Sequence, residues 1–135
     1  MTKSLFTNTI DIAAPIDTVQ HWLTQPTALP RWNPDVSQVT PLDSQTWDLT
    51  RTKTALNQQE QLVLTTTPDS VTYTSTGGRL AYQLEFTLST TPTGTLVQEK
   101  LTPQSSFPGL ALMAPVAKQA FHHNLQLLQQ LCLTA

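Results

Sequence analysis

Glu99 is the residue whose type and setting most readily suggest chemistry. It is flanked at two-residue spacing by Val97 and Leu101, so an alternating strand turns its carboxylate toward the same side as two apolar side chains. Loss of water there favours the neutral acid, raises the pKa and suits the group to general acid or base work. The bland counterpart is a carboxylate at the sheet rim or one bonded by a neighbour such as Asn8. Tyr73, Tyr82 and Asn124 share the inward side and could anchor the polar end of a bound molecule. The two tyrosines could equally be a cross-strand aromatic pair. Arg51 and Glu60 read as a cross-strand ion pair, worth little if solvated at a hairpin end. If the hairpin tip overhangs a cavity, Arg51 instead binds a ligand carboxylate or phenolate.

Other chemistries find no support. His122 and His123 are adjacent, about 100° apart around a helix, and cannot chelate one metal as an i, i+4 pair would. His21 falls on the outer side of its helix beside Trp22. With one cysteine, Cys132, and no spaced His or carboxylate cluster, neither a metal site nor a cofactor is expected. Nucleophile-elbow and P-loop patterns are missing, and Gly77-Gly78-Arg79 reads as a turn.

The elements that must position these groups follow from periodicity. Phe6, Asn8, Ile10 and Ile12 alternate with polar residues, which predicts a half-buried strand over 5–13. Pro15 suits a first helical position and Asp17 the first turn, and Ile16, Val19, Trp22 and Leu23 share a face. Pro26 and Pro30 bracket a second short helical piece. Pro34 forces Asn33 out of the α region, so a strand leaves from about Asp35.

A meander of hairpins is expected from Trp47 to Leu101. Pairing Arg51 with Glu60 sets Leu49 opposite Leu62 and Trp47 opposite Leu64, around a tip at Ala55 and Leu56. The turn at 67–70 brings Leu64 opposite Tyr73. A two-residue Gly77-Gly78 turn pairs Tyr73 with Tyr82 and Val71 with Leu84. The turn at 91–94 pairs Leu88 with Val97, Phe86 with Glu99 and Leu84 with Leu101, leaving Glu85 and Lys100 as an outward ion pair. After Pro103 the period changes to three and four, from Leu110 through Cys132, which predicts one long helix. Pro115 either kinks that helix or marks its true first turn. The order is β-α-α-β-β-β-β-β-β-α, an α+β chain with a curved antiparallel sheet of six or seven strands around the last helix.

Composition narrows the partners. At 135 residues, 39% hydrophobic and 12% charged, the chain has the size and apolar content of one globular domain spanning 1–135. Net charge −2, with seven Lys plus Arg scattered singly, supplies no stripe to release counterions from a nucleic acid. No apolar run approaches the ~20 residues needed to span a bilayer, and the first residues lack a signal-peptide core. The expected setting is cytoplasmic, without stable membrane insertion. A lone cysteine suits a reducing compartment.

Three local patterns carry a resemblance: Ile10-x-Ile12-x-Ala14-Pro15 with Val19 and Trp22, Leu29-x-x-Trp32-Asn33-Pro34, and Pro108-Gly109-Leu110 with Leu112-Met113-Ala114-Pro115. Together with the element order, the chain resembles the START and birch-pollen-allergen superfamily, often called SRPBCC, in particular its small bacterial polyketide cyclase/dehydrase and lipid-transport members. The resemblance implies a helix-grip fold whose cavity, between sheet and long helix, holds a small hydrophobic molecule such as a lipid, polyketide or aromatic metabolite.

The expected lining comes from the inward positions. The sheet supplies Trp47, Leu49, Leu62, Leu64, Tyr73, Tyr82, Leu84, Phe86 and Glu99; the long helix supplies Leu110, Met113, Ala117, Phe121 and Asn124. The small Ala114 and Ala117 favour a gap over a filled core. The two short helices should close one end of the groove, with Trp32 near its opening. Binding of a hydrophobic ligand is the first functional reading. A cyclase or dehydratase using Glu99 as acid or base is the second. A chaperone-activator-like interaction domain is the third, for which the low charge and lack of an evident exposed apolar patch offer little.

Overall fold

The computed structural model describes residues 3–52 and 55–134. Its elements are β1 (Phe6–Ile12), α1 (Ile16–Leu23), a 3-10 helix (Pro26–Arg31), β2 (Val36–Pro41), β3 (Thr46–Arg51), β4 (Gln59–Thr67), β5 (Ser70–Thr76), β6 (Tyr82–Thr91), β7 (Gly94–Pro103) and α2 (Leu110–Leu133). The strands form one antiparallel sheet in the order β1-β7-β6-β5-β4-β3-β2. The first two strands therefore occupy opposite edges, and the chain between them must cross the sheet. The α1 and 3-10 segment makes that crossing, while α2 lies chiefly against β1. This is the helix-grip arrangement, with seven strands.

Burial follows the alternation in the sequence. Phe6, Asn8 and Ile12 of β1 are buried, and β7 buries Thr95, Val97, Glu99, Leu101 and Pro103 at every second position. Pairing of β1 with β7 sets Asn8 opposite Glu99 and Ile10 opposite Val97. Gly94 begins β7 where a Cβ would stand 2.1 Å from the Ile12 carbonyl oxygen, so only glycine lets the end of β1 approach so closely.

Four hairpin registers were open to prediction, and two differ from expectation by two residues. Leu64 opposite Tyr73, Leu88 opposite Val97, Phe86 opposite Glu99 and Glu85 opposite Lys100 are as expected. Between β3 and β4, however, Leu49 faces Glu60 and Trp47 faces Leu62, and the Arg51 amide bonds to the Gln58 carbonyl. Arg51 and Glu60 are therefore diagonal neighbours. Between β5 and β6, Tyr73 faces Leu84 and Ser75 faces Tyr82, so the tyrosines do not face each other. A two-residue slip keeps every side chain on its own face, because the strand period is two.

The second slip has a local cause. The Asn57 side chain bonds both backbone groups of Leu80, donating from Nδ2 to its carbonyl and accepting at Oδ1 from its amide, each at 2.8 Å. This stand-in for a strand partner stabilises an open loop over 77–81 in place of a tight Gly-Gly turn. Leu80 is thereby turned inward and is 5% exposed.

In α1, Pro15 lies one position earlier than expected, as the capping residue, and its carbonyl accepts from the Thr18 and Val19 amides. In α2, Pro115 is interior rather than first-turn, since the helix already begins at Leu110 after the left-handed Gly109. The C-terminal half of α2 buries Asn124, and its Leu125, Leu128, Leu131 and Cys132 join Val19 and Leu23 of α1 in one core. Each fully buried Leu there stabilises the fold by roughly 1.5–3 kcal/mol. From Ala111 to Ala120 no residue of α2 is fully buried. That half of the helix stands over an opening.

Candidate ligand site

Most of the predicted lining is divided between two spaces. The larger is a cavity of about 400 Å³ beneath the N-terminal half of α2. Of the predicted residues it takes Tyr82, Leu110, Met113, Ala117 and Phe121. Its remaining walls include Leu5, Phe6 and Leu101 from the β1 and β7 side, and loop positions that strand periodicity does not reach: Ala55 and Leu56 in the β3–β4 loop, and Leu80 in the β5–β6 loop. A signal for them did exist, because Ala-Leu at a hairpin tip and Leu directly after Gly-Gly-Arg are apolar where turns are ordinarily polar.

The mouth of this cavity is apolar too. Leu112 and Val116, one helical turn apart, are 84% and 73% exposed, and both line the cavity. The expectation of a surface without an apolar patch therefore fails here, where this turn of α2 stands over the cavity and leaves both side chains largely exposed.

The smaller space, about 10 Å³, lies deeper. Trp32, Leu62, Tyr73, Leu84, Glu99 and Asn124 line it, and it shares Arg51, Tyr82 and Phe121 with the outer cavity. Trp47, Leu49, Leu64 and Phe86 line neither space, contrary to expectation. Phe86 is wholly buried beneath Trp32 and Tyr73, with ring centroids at 6.2 and 5.5 Å in edge-on geometry. Trp32 is not near the opening. It is 2% exposed, because the 3-10 helix ends by bonding the Trp32 and Asn33 amides to the Leu29 carbonyl, which folds the indole inward onto the sheet. The segment plugs the middle of the concave face where a broad pocket was expected.

Most of the polar candidates are already engaged. The Tyr73 hydroxyl donates to the Leu23 carbonyl at the end of α1, and burial, with the Glu99 charge nearby, holds it protonated far above the usual phenol range. Tyr82 donates to Glu60 Oε2 at 2.9 Å and accepts from Arg51 Nη2 at 3.2 Å. Arg51 Nε donates to Glu60 Oε1, and the Ser75 hydroxyl donates to Glu60 Oε2. With side-chain exposures of 10% and 0%, Arg51 and Glu60 form a buried pair, not the solvated one anticipated. The two-residue slip is responsible, since it moves Glu60 inward from the hairpin tip to a position beside Ser75 and Tyr82. The outward pair does behave as a surface contact: Lys100 and Glu85 are 3.9 Å apart and about half exposed.

Glu99 is 1% exposed. Its Oε1 accepts from Asn8 Nδ2 at 3.2 Å, and Oε2 has no partner. Burial pushes its pKa up to about 8, against a smaller lowering by the Asn8 bond. It is inward, desolvated and bonded to Asn8, so the chemical and the bland features expected of it coexist. Among the described residues, no three His, Cys, Asp or Glu side chains converge on a metal-sized space. Nor, among those residues, is any helix long and apolar enough to cross a membrane.

An open antiparallel sheet gripping a C-terminal helix, with an apolar cavity between them, defines a START-like helix-grip protein. The chain belongs to the family described as "Polyketide cyclase / dehydrase and lipid transport", which it matches over residues 4–132. Among solved structures, a START superfamily protein from Mycobacterium smegmatis superposes with a TM-score of 0.77 at 17% identity, over 96% of this chain and 97% of that one. A protein from Thermus thermophilus gives 0.73 at 14%, covering 95% and 96%. The chain also matches one half of the di-domain ARO/CYC StfQ of the steffimycin biosynthetic pathway, with a TM-score of 0.74 at 14% identity over 93% of this chain and 49% of that one. Identities this low show a shared fold alone. No curated protein matches the chain significantly.

Proposed function

We propose that this protein binds one small hydrophobic molecule in the cavity beneath the N-terminal half of α2. The observation that carries this reading is the mismatch between helix and sheet there: about 400 Å³ walled by Leu5, Leu56, Leu80, Leu110, Met113 and Ala117. That volume falls in the range of ~300–1,000 Å³ usual for small-molecule sites. Membership of a family described by polyketide cyclase/dehydrase and lipid-transport roles supports the same class of ligand.

The test is equilibrium titration with anilinonaphthalene dyes, medium-chain fatty acids and flavonoids. Binding tighter than about millimolar, lost in Ala117→Trp without loss of fold, is the expected result. Failure of every probe sinks the proposal.

A cyclase or dehydratase reading is favoured by one observation, the buried Glu99 with an unpartnered oxygen and a pKa of about 8. A general acid or base near neutrality is what such a reaction needs. It also needs substrate at hydrogen-bond distance, and the space beside Glu99 is water-sized. Binding is therefore the first reading.

A further inference from the structure

We infer that Phe121 sets the depth of the ligand cavity, and that the chamber behind it is a second, polar subsite for the uncharged hydroxyl or carbonyl end of a longer ligand. The inference rests on the binding reading above and adds to it the class of molecule the deep end would take.

Phe121, Arg51 and Tyr82 are the residues common to both spaces, so they form the wall between them. Two are fixed: Arg51 and Tyr82 are bonded to each other and to Glu60. Phe121 is held by packing alone. Its ring tilts against Phe6 at 5.0 Å, and it is only part-buried, at the point where α2 passes from its exposed half to its buried half. A Phe in that position reorients at far smaller cost than a buried ion pair, so it is the movable part of the wall.

The chamber behind it has an unused set of polar atoms. Trp32 Nε1, Asn33 Oδ1 and Glu99 Oε2 are all buried without a protein partner, and all three residues line this one space. Buried polar groups ordinarily find partners, and about 10 Å³ is room for a single water. The set holds an indole donor, an amide acceptor and a carboxyl oxygen. An alcohol oxygen can accept from the indole while donating to Asn33 or Glu99, and a carbonyl can accept from the indole and from a protonated Glu99. An anion would face two oxygens, while the Arg51 guanidinium that lines the chamber is already held by Glu60 and Tyr82, and an ammonium would have to be desolvated against a carboxyl that burial already keeps largely neutral. The fit is to a neutral polar end that displaces the water.

The test compares the protein with Phe121→Ala, using straight-chain alcohols from octanol to tetradecanol, their methyl ethers and the matching amines as competitors of a bound anilinonaphthalene dye. In the unsubstituted protein affinity should stop rising at a chain length that the variant exceeds. The longest alcohol should bind about tenfold tighter to the variant, a gain the methyl ether lacks and one that Glu99→Leu in the same background abolishes. Equal changes at all chain lengths, equal gains for alcohol and ether, or a preference for the amine would overturn the proposal.

A ligand-free measurement separates this from the binding reading. Exchange of the Trp32 indole N–H, followed by NMR with Trp47 as reference, should quicken about tenfold in Phe121→Ala as water gains access. Unchanged exchange removes Phe121 as the partition even if probes bind. Faster exchange with no probe bound by either protein would mean that the cavity is not a ligand site, and the subsite proposal would fall with it. Phe121→Leu serves as the second variant should the alanine form not fold.

Discussion

Asn8 is joined to Glu99 by a bond of 3.2 Å from Nδ2 to Oε1, and the same nitrogen donates to the Lys118 carbonyl at 2.9 Å. One amide thus ties β1, β7 and α2 together. It also holds the desolvated Glu99 carboxyl beside the inner chamber.

Replacing Asn8 with Leu should cost about 1–3 kcal/mol, because it strands a buried carboxyl oxygen and a helix carbonyl together. Urea unfolding measures the loss. The Glu99 pKa should rise further, since the bond that lowers it is gone; a fall, read by carboxyl NMR, would contradict this account.

Glu99 makes stability depend on pH in a particular direction. Its folded pKa, about 8, lies above the ordinary 4.5, so between those values the folded state holds a proton that the unfolded state has released. This contribution is complete below about pH 4.5 and is lost as pH rises through about 8. The limiting slope is about −1.4 kcal/mol per pH unit. Glu99→Gln should flatten that slope. Parallel stability curves for the two proteins between pH 5 and pH 8, two bounds set by the ordinary carboxyl range and about the folded value, would refute the assignment.

Asn57 and Gly78 should behave as a coupled pair. A Cβ at Gly78 would lie 2.5 Å from Asn57 Cγ, so Gly78→Ala displaces the side chain that holds Leu80. Asn57→Ala should cost about 1–3 kcal/mol through its two lost bonds to Leu80. In the double mutant the second change should be cheaper by about 0.5–3 kcal/mol. Strict additivity would show that the loop is held by something else.

The buried pair of Arg51 and Glu60 should be costly to break and inexpensive to remove whole. Arg51→Met alone strands Glu60 and should destabilise by about 3–5 kcal/mol, whereas Arg51→Met with Glu60→Leu should recover much of that. Thermal unfolding of the single and double variants decides the matter. Equal losses in both would mean that Ser75 and Tyr82, which also bond Glu60, dominate.

Parity was legible along most of the sheet because a side-chain period of two is written in every strand. The inward Asn8, Phe86, Val97, Glu99 and Leu101 follow from it directly. Exact register was legible where a short turn fixed it, at 67–70 and 91–94, and not at the β3–β4 and β5–β6 loops, since a slip of two residues leaves the pattern of apolar residues unchanged; at the second of these the Asn57 clamp on Leu80 chose between the alternatives.

By itself, the sequence determined the order of elements, the inward face of each strand and the desolvated setting of Glu99, all of which depend on local periodicity and neighbours. Only the tertiary structure decided where the empty volume lies. Trp32 folds back onto Phe86 and fills the centre of the sheet, while α2 rises over the loops around Leu56 and Leu80 and leaves the cavity there. Empty space is set by how far apart packed elements stand, and that distance is a property of side chains brought together from remote parts of the chain. For the same reason Arg51 and Glu60, which look like a surface pair in one dimension, are buried beside Ser75 and Tyr82 in three.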